Sequence, residues 1–411
     1  MPLPPEQRDP RLKGPLAGLR IIEMGQLLAG PFTAARAAEF GAEIIKVEPP
    51  GSGDPMRNWG HHRYKDRSLW WPILGRNKKS VTANLRVDEG RDLVRKLVSK
   101  SDALIENFKP GTLEKWGLGP DELLAINPRL VIVRVSGFGQ TGPYAPRPGF
   151  ASVGEAMGGL RHINGFPGEA PPRMHISLGD TLTGMFAIQG LLMALYQRDA
   201  LGGGKGQVVD ASIMESCFAL LEGALPEYSK TGAIRDASGT GLANVSPSNL
   251  FPTSDGKWVI IAANFDPMFK RLCDAIEQQE LAADERFSTH LSRGENAKEL
   301  DGIIAEWTAK HTAQEIDTIL GEHDVVVGPI YTIADIAEDP HYRSRGMVRE
   351  IESSFFGKML VPGITPAMSE SQADIAWLAP ETAGEHNGEI YGDLLGLSED
   401  QIEQLRCDGV I

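Results

Sequence analysis

The stretch LRIIEMGQLLAGPFTAARAAEFGAEIIKVEPP, residues 19–50, carries the pattern that decides the fold. It opens with a short apolar run, LRIIEM (19–24), which is typical of a buried strand. PFTAARAAEFG (31–41) then has helical spacing, with a proline near its start and a glycine at its end, both favoured at helix boundaries. AEIIKVEPP (42–50) is a second apolar run, ended by two prolines. Strand, helix and strand in this order predict a βαβ unit with parallel strands.

The same alternation continues through the first half of the chain. Strand patterns occur at SVTANLR (80–86), ALIENF (103–108) and LVIVRVSGFG (130–139), with helical patterns between them. We therefore predict an α/β fold with a mostly parallel sheet covered by helices. The pattern is mainly helical from Asp180 to about Gly232, and charged helices between about 265 and 320 indicate a second, smaller domain.

Composition excludes several classes of protein. A chain of 411 residues with 41% hydrophobic and 23% charged residues is ordinary for a soluble globular protein. The net charge of −14 argues against nucleic acid or an acidic membrane surface as partner. The three cysteines (217, 273 and 407) are widely spaced, which fits neither a disulfide framework nor a zinc site. With no secretory signal and no apolar run near the roughly 18 residues of a membrane span, we expect a cytoplasmic protein without a metal.

HISLGDTLTG (175–184) places one carboxylate, Asp180, before a long run of small and apolar residues. One interpretation is a helix N-cap, since Asp accepts hydrogen bonds well from the first N–H groups of a helix. The other is a nucleophile or base held at the positive end of a helix dipole. Local sequence favours the cap, because caps are common and catalytic carboxylates are rare.

The segment 57–79 is basic, against the acidic average of the chain. Seven cations stand there against Asp66 alone: Arg57, Arg63, Lys65, Arg67, Arg76, Lys78 and Lys79. Such a run fits a solvated loop face, and it also fits a pocket for a small polyanion such as a nucleotide-bearing cofactor. Tryptophans 59, 70 and 71 would suit adenine stacking, or they belong to the core. Residue patterns leave both interpretations open.

Taken together, these segments resemble the class III CoA-transferases, the family of formyl-CoA:oxalate, carnitine and bile-acid CoA-transferases. The resemblance rests on motifs that follow the family order over nearly the whole chain: GLRIIEMGQLLAGP, GAEIIKVEPPGSGDPMR, GRNKKSVTANLR, LIENFKPGTLEKWGLG, RVSGFGQTGPYAPRPGF, LGDTLTGMFAIQGLLMAL, GKGQVVDASIMES, VGPIYTIADIAEDPHYRSRGM and LGLSEDQIEQLRCDGVI.

The resemblance implies a role for Asp180, which matches the nucleophilic aspartate of the family. Its carboxylate would attack the thioester carbonyl and expel CoA thiolate, leaving a mixed anhydride on the enzyme, and an aspartyl-CoA thioester would follow. A helix N-terminus and neighbouring amides would keep Asp180 ionised and help to stabilise the oxyanion. On this hypothesis capping is secondary.

The resemblance also implies where the CoA nucleotide binds. The family contacts fall on Ala83, Asn84, Leu85 and Arg86, on Asn107, Phe108 and Lys109, and on Lys115. Arg86, Lys109 and Lys115 are then the phosphate-binding candidates. A CoA thioester is a co-substrate in this family, so we expect no permanently bound cofactor.

Departures from the family pattern bear on the substrate. The formyl/oxalate branch carries glutamine directly before AGP, where this chain has Leu28, so we expect weak formyl/oxalate activity. RPGFA stands where RPGYD is common, so Phe150 and Ala151 lose a hydroxyl and a carboxylate and make a more apolar pocket edge. The short segment SGTGLAN (238–244) takes the place of a longer glycine loop.

The segment before Asp180 contains the candidates for acceptor binding: Arg161, His162, Arg173 and His175. An arginine beside the nucleophile could hold a second carboxylate bidentately, which would favour a dicarboxylic pair such as succinyl-CoA with a C4–C6 diacid. Alternatively, Arg173 pairs with Glu169 or Asp180 and only holds the loop. A branched or hydroxylated monocarboxylate is the alternative acceptor.

Two other functions fit the same fold. An α-methylacyl-CoA racemase needs a histidine where this chain reads GFASVG (149–154), and Phe150 cannot transfer a proton. A CoA-binding relative without activity is the other alternative, and the retained Asp180 argues against it.

The resemblance finally implies the organisation of the chain. We expect a large Rossmann-like domain built from both chain ends (1–224 and 326–411), a small α/β domain (225–325), and an interlocked homodimer.

Overall fold

Strands and helices alternate in the N-terminal half of the computed structural model, which describes residues 9–242 and 244–411. Up to residue 218 the strands are β1 Arg20–Glu23, β2 Glu43–Glu48, β3 Arg63–Tyr64, β4 Arg67–Ser68, β5 Lys78–Thr82, β6 Ala103–Glu106, β7 Val131–Ser136 and β8 Val208–Ser212. The α-helices are α1 Ala29–Glu39, α2 Trp71–Leu74, α3 Asp88–Val98, α4 Thr112–Lys115, α5 Pro120–Ile126, α6 Ala151–Met157, α7 Leu178–Asp199 and α8 Ile213–Phe218, with a 3₁₀ turn at Pro55–Asn58.

The C-terminal half is richer in helix. Its helices are α9 Ala224–Thr231, α10 Asp266–Ala275, α11 His290–Glu295, α12 Ala297–Thr308, α13 Ala313–Glu322, α14 Ile333–Glu338, α15 Pro340–Ser344 and α16 Glu399–Cys407, with a 3₁₀ turn at Gln279–Ala282 and a π-helix at Gly388–Leu394. Its strands are β9 Ser248–Pro252, β10 Trp258–Ala262, β11 Val327–Pro329, β12 Val348–Ser353 and β13 Gly357–Pro362.

Six strands form one sheet in the order β5-β2-β1-β6-β7-β8, and every neighbouring pair is parallel. The predicted α/β fold with a parallel sheet is therefore confirmed. The chain adds β2 and β5 on one side of β1 and then returns to place β6 on the other side. At such a switch in strand order, a crevice opens at the carboxyl ends of the strands.

Helices cover both faces of this sheet, because successive strand residues point to opposite faces. One core packs Ile22, Ile45 and Leu104 against α3, α5, the π-helix and α16. The other packs Ile21, Ile44 and Val133 against small residues of α1 and α7. The C-terminal segment therefore completes the large unit, and the hydroxyl of Tyr391 donates to the carbonyl of Thr82 at 2.8 Å.

The described residues divide into two compact units. The first comprises residues 9–160, 174–222 and 344–411, and so draws on both halves of the chain. The second comprises 161–173 and 223–343, whereas we expected a small domain at 225–325. In it the antiparallel strands β11-β10-β9 pack their buried side chains, such as Phe251 and Ile261, against helices α10, α12 and α13.

Helix α7 is the one helix in the described part of the chain that is long and apolar enough to cross a membrane by length and composition alone. No apolar run of that length was expected from the sequence. One face of α7, including Ala187, Leu191 and Ala194, is buried in the core against the sheet. This face of α7 therefore belongs to the core, while its other face is exposed.

Candidate active site

A cavity of 480 Å³ lies where the carboxyl ends of β1, β2, β5 and β6 meet, at the switch in strand order. It is lined by Met24, Gln26, Val47, Glu48, Pro49, Pro50, Ser52, Ala83, Asn84, Leu85, Arg86, Phe108, Trp116 and Gly409. Open α/β sheets bind nucleotide ligands at this position. The whole lining belongs to the first unit.

Five of the eight residues predicted to contact CoA line this cavity: Ala83, Asn84, Leu85, Arg86 and Phe108. Lys109 and Lys115 do not line it, but each directly adjoins a residue that does, Phe108 and Trp116 respectively. Arg86, Lys109 and Lys115 are exposed and form no ion pair within the described residues. Three uncompensated cations thus stand at or beside the cavity of an acidic protein, a pattern that suits phosphate groups.

The third predicted CoA residue outside the lining, Asn107, has a different position. Its Oδ1 accepts a hydrogen bond from the N–H of Gln26 at 2.8 Å, and its Nδ2 donates to the carbonyl of Gln26 at 2.9 Å. Asn107 therefore fixes the backbone of a lining residue instead of facing the cavity itself.

The aromatic wall of the cavity comes from Phe108, which was predicted to contact CoA, and from Trp116, which was not. Phe108 and Trp116 pack edge to face with ring centroids 5.3 Å apart, and both line the cavity. The tryptophans suggested for adenine stacking, at 59, 70 and 71, do not line it. Trp71 is buried, and its Nε1 donates to the carbonyl of Pro380 at 2.7 Å. For Trp71 the core interpretation fits its burial, and adenine stacking by any tryptophan stays a prediction. Trp116, in the segment LIENFKPGTLEKWGLG, was not singled out from the sequence.

The cations of segment 57–79 do not form one charged surface, because some are buried in ion pairs and others are exposed. None of the residues of this segment lines the 480 Å³ cavity. Four of its cations form ion pairs with buried or nearly buried carboxylates: Arg57 with Glu48, Arg76 with Glu39, Lys78 with Glu23 and Lys79 with Glu43. Arg63, Lys65 and Arg67 are exposed. For Arg76, Lys78 and Lys79, which are buried in ion pairs and line neither cavity, both the solvated face and the polyanion pocket are wrong. Arg57 is paired in the same way but lines a second cavity, described below.

Buried charges also support the loop between β1 and α1. Lys46 contacts Glu23 at 2.6 Å and Asp54 at 2.7 Å, and Lys78 contacts Glu23 at 2.6 Å, with all four side chains at most 1% exposed. Burial lowers the pKa of Lys78 to about 8, against the opposing charge of Glu23. For Lys46, the charges of Glu23 and Asp54 outweigh burial and raise the pKa.

Asp54 connects this cluster to the loop that carries Leu28. Its Oδ1 accepts a hydrogen bond from the N–H of Leu27 at 3.1 Å. Leu27 has a φ of 62°, a left-handed conformation that is unfavourable for a leucine and needs such support. Leu28 follows as the residue before α1, so the predicted substrate-contacting position is held by a buried network.

Asp180 lies in the first turn of α7, as the third helical residue, and it is partly buried. The N-cap residue is Ser177, so the N-cap interpretation of Asp180 is wrong in position. A carboxylate in the first turn still gains from the helix dipole. Ser177 makes no side-chain capping bond, and the N–H of Gly179 instead donates to Oε1 of Glu155 at 3.1 Å. Glu155 was not predicted from the sequence.

Helix α7 approaches the start of α1 one turn after Asp180. A Cβ on Gly184 would lie 2.6 Å from Cδ1 of Phe32 and 3.4 Å from the carbonyl of Ala29, so any larger residue here would have to displace the Phe32 ring. Asp180 and Gly184 are four residues apart and share a helix face. Asp180 therefore lies on the side of α7 where α1 begins, shortly after the cavity-lining Gln26.

The remaining predicted substrate residues lie on both units. Phe150 immediately precedes α6 and is 72% exposed, and His175 is exposed shortly before α7. Arg161 and Arg173 belong to the second unit. There Arg173 is exposed, and the alternative pairing with Glu169 is not formed.

His162, which stands beside Arg161, also belongs to the second unit. Its Nε2 lies 2.9 Å from Oδ1 of Asp236, and both side chains are mostly exposed. The segment SGTGLAN (238–244) includes Ala243, which lies outside the described residues. Within it, Ser238 Oγ donates to the carbonyl of Gly241 at 2.7 Å.

A larger cavity of 640 Å³ in the first unit is a poorer match for phosphates. Its lining includes Arg11, Arg57 and Arg67. Arg11 pairs with Asp9 and Arg57 with Glu48, each at 2.7 Å, and Arg67 donates to the carbonyl of Glu381 at 2.7 Å. These cations are already engaged, unlike those around the smaller cavity.

A doubly wound parallel sheet with a crevice at its switch point is the architecture of α/β proteins that bind nucleotide-bearing ligands. The model of CoA-transferase family III matches residues 16–387. The chain belongs to this family, as the sequence motifs predicted, and it is a CoA-transferase that uses CoA thioesters as co-substrates.

Curated relatives match over nearly their full lengths. Succinyl-CoA–D-citramalate CoA-transferase of Chloroflexus aurantiacus is 51% identical, over 98% of this chain and 99% of that protein. The alpha subunit of succinyl-CoA–L-malate CoA-transferase of Chloroflexus aurantiacus is 41% identical, over 97% and 92%. Succinate–glutarate CoA-transferase of Agrobacterium fabrum is 32% identical, over 94% and 97%.

Solved structures show the same fold. A CAIB/BAIF family protein from Brucella suis superposes with a TM-score of 0.82 at 33% identity, over 93% of this chain and 100% of that chain. The protein Rv3272 from Mycobacterium tuberculosis superposes with a TM-score of 0.79 at 28% identity, over 91% and 98%.

Proposed function

We propose that this enzyme moves CoA from succinyl-CoA to a dicarboxylic acid of the citramalate or malate type, with Asp180 as nucleophile. The observation that carries the proposal is the position of Asp180, in the first turn of α7 and one turn before Gly184, which packs against the start of α1. The residue Gln26, shortly before α1, lines the 480 Å³ cavity. The donor and acceptor class are supported by the relatives, which are named for succinyl-CoA with citramalate or malate.

The proposed reaction proceeds by acyl exchange at Asp180. Its carboxylate attacks the thioester carbonyl of succinyl-CoA, and CoA thiolate leaves, which forms a succinyl-aspartyl anhydride. The thiolate then attacks the aspartyl carbonyl and releases succinate, leaving an aspartyl-CoA thioester. The acceptor carboxylate displaces CoA thiolate to form a second anhydride. Attack of the thiolate on the acceptor carbonyl gives the new thioester and frees Asp180, so charge balances without a net proton transfer.

The nucleotide of CoA is proposed to bind in the 480 Å³ cavity. Arg86, Lys109 and Lys115 would hold the phosphates, and the Phe108–Trp116 pair would contact the adenine. Binding energy from this distant part of the substrate can align the thioester with Asp180.

The acceptor is proposed to contact Leu28 and Phe150 through its carbon skeleton. Leu28 stands where the formyl/oxalate branch carries glutamine, and Phe150 stands where tyrosine is common, which favours a branched acid over oxalate. A second carboxylate would require a cation, and Arg161, Arg173 and His175 are the candidates. If none of them serves, a branched or hydroxylated monocarboxylate is the alternative acceptor.

We further propose a homodimer in the cytoplasm, with neither nucleic acid nor membrane as partner. Supporting the dimer, one side of α7 exposes a run of large apolar side chains: Met185, Phe186, Leu192, Met193 and Tyr196. Contiguous apolar surface of this kind is typical of protein interfaces. Sedimentation equilibrium would measure the mass directly, and a monomer at micromolar concentration would contradict the dimer.

The testing experiment is a mixed-substrate transfer assay read by mass spectrometry. Succinyl-CoA, acetyl-CoA or formyl-CoA is supplied with a panel of mono- and dicarboxylic acids to the wild type, Asp180→Asn and the control Asp121→Asn. Asp121 is an exposed aspartate in the first turn of α5. We expect citramalyl-CoA or malyl-CoA from succinyl-CoA, lost only in Asp180→Asn.

Other outcomes of the assay are equally decisive. Turnover by Asp180→Asn would disprove the nucleophile. Esters formed only from monocarboxylic pairs would remove the dicarboxylate proposal and keep the transferase. Scrambling of a 2-methylacyl-CoA without any new ester would support the α-methylacyl-CoA racemase, and no reaction at all would support a CoA-binding relative without activity.

A further inference from the structure

A side chain from another helix, α6, accepts a hydrogen bond from the first turn of α7. The first N–H groups of a helix have no partner inside the helix, and the N-cap side chain usually supplies one. Ser177 occupies the N-cap position of α7 without such a bond. Glu155, on α6, accepts from the N–H of Gly179 at 3.1 Å instead, although its side chain is only 3% exposed.

Close packing fixes Glu155 with respect to α7. A Cβ on Gly154 would lie 2.5 Å from Cγ2 of Ile213, and one on Gly158 would lie 2.5 Å from Cβ of Cys217. A Cβ on Gly179 would lie 3.0 Å from Cγ2 of Ile213. The glycines on both sides of Glu155 thus hold α6 against α8, and α8 also contacts the residue before Asp180.

The two carboxylates share one environment. Burial, and after it the negative charges of Glu155 and Asp180, raise the pKa of the Cys217 thiol to about 11. Cys217 is fully buried on α8, so the charges of Glu155 and Asp180 both act on its thiol. Bringing a second carboxylate into a buried site near a nucleophilic one is unfavourable, so such a group is retained only where its hydrogen bonds compensate.

We propose that Glu155 is a positioning residue for Asp180. By holding the N–H of Gly179, it fixes the peptide that immediately precedes the nucleophile and so sets the direction of the Asp180 carboxylate. A bond to a carboxylate is stronger than a bond to a neutral acceptor, which explains why this buried position carries a glutamate. The same bond engages the Gly179 amide, which is then not a donor for the oxyanion. This inference rests on the proposed nucleophilic function of Asp180.

The test compares Glu155→Ala with Glu155→Gln, because glutamine keeps a side-chain oxygen that can accept from Gly179. Misalignment of a reacting group by about 1 Å costs up to about 100-fold in rate. We expect Glu155→Ala to lower kcat by about 30- to 100-fold while the KM for succinyl-CoA changes less than about 3-fold. Glu155→Gln should recover kcat to within about 5-fold of the wild type. The exposed first-turn glutamate of α16, Glu399, serves as control through Glu399→Gln.

Two further measurements separate positioning from structure. Affinity for free CoA reports the integrity of the nucleotide cavity, and intact-mass analysis after a single turnover reports the rate at which the enzyme-CoA adduct forms. Positioning predicts unchanged CoA affinity with slower adduct formation in Glu155→Ala. An unchanged kcat in Glu155→Ala overturns the proposal, as does equal loss in both variants or parallel loss of CoA affinity. Activity or adduct formation in Asp180→Asn would instead overturn the proposed function.

Discussion

The side-chain amide of Asn107 brackets the backbone of Gln26: Oδ1 accepts from its N–H at 2.8 Å and Nδ2 donates to its carbonyl at 2.9 Å. These residues follow β6 and β1, the two strands on either side of the switch in strand order. One side chain therefore ties together the two edges of the crevice proposed for CoA.

Replacing Asn107 with alanine should weaken both stability and CoA binding. Two partly buried backbone groups lose their partners, which costs about 1–3 kcal/mol each in the free energy of unfolding. Urea unfolding measures this loss, and steady-state kinetics should show a higher KM for succinyl-CoA. Asn107→Asp keeps the acceptor for the Gln26 N–H but sets a carboxylate oxygen against the Gln26 carbonyl, so it should also be destabilised. Equal stability of Asn107→Ala and the wild type would contradict this account.

The three uncompensated cations should act on substrate binding and not on chemistry. Arg86→Gln, Lys109→Gln and Lys115→Gln should each raise the KM for succinyl-CoA by about 3- to 10-fold, since a charge-assisted bond to phosphate contributes about 1 kcal/mol at an exposed site. The saturated kcat should be unchanged. Lys100→Gln is the matched control. Lys100 is exposed just before the amino end of β6, whereas the cavity lies at the carboxyl ends of the strands. A similar KM increase in this control would mean that only net charge matters.

Leu28→Gln should shift the choice of acceptor toward small polar acids. Glutamine at this position could donate a hydrogen bond to a compact dicarboxylate such as oxalate, and one such bond contributes about tenfold in kcat/KM. The measurement is the ratio of kcat/KM for oxalate to that for citramalate, with succinyl-CoA as donor. Leu28→Met preserves the apolar character and should leave the ratio unchanged. If both variants change it equally, side-chain shape and not hydrogen bonding selects the acceptor.

Stability should rise with pH in the alkaline range because of Lys78. Its pKa is about 8 in the folded protein and 10.5 in its ordinary state, so between these values the unfolded chain binds more protons than the folded one. The free energy of unfolding then increases with pH, by up to about 1.4 kcal/mol per pH unit from this group. Below pH 8 both states are protonated and the contribution is constant.

Urea unfolding of the wild type and Lys78→Met from pH 7 to 10 measures this effect. The difference in unfolding free energy, wild type minus variant, should grow above pH 8. Lys100→Met provides a control for loss of an exposed lysine and should show a flat difference. A flat difference for Lys78→Met would mean that Lys78 stays protonated through this range.

The local sequence pattern was sufficient to predict the position of strands whose side chains are mostly apolar. β1, β2, β6 and β7 all lie inside the predicted runs, because alternating or continuous burial of isoleucine, valine and leucine is visible in a single segment. β5 spans Lys78–Thr82, so it begins two residues before the predicted start at Ser80. The strand begins with two lysines, so its start could not be predicted from hydrophobic residues. These lysines are buried because Glu23 and Glu43, on other strands, neutralise them.

The class of fold, the family and the placement of Asp180 at the start of a long helix were all predictable from the sequence, since each of these depends on short-range patterns or on motifs in order. Tertiary structure alone decided that Arg76 and Lys78 are buried ion partners, that Trp116 lines the cavity, and that Glu155 and not Ser177 caps α7. The physical reason is the same in each case. Whether a charged or polar group is solvated, paired or used as a cap depends on partners that are distant in the chain and meet it only when the sheet and its helices pack.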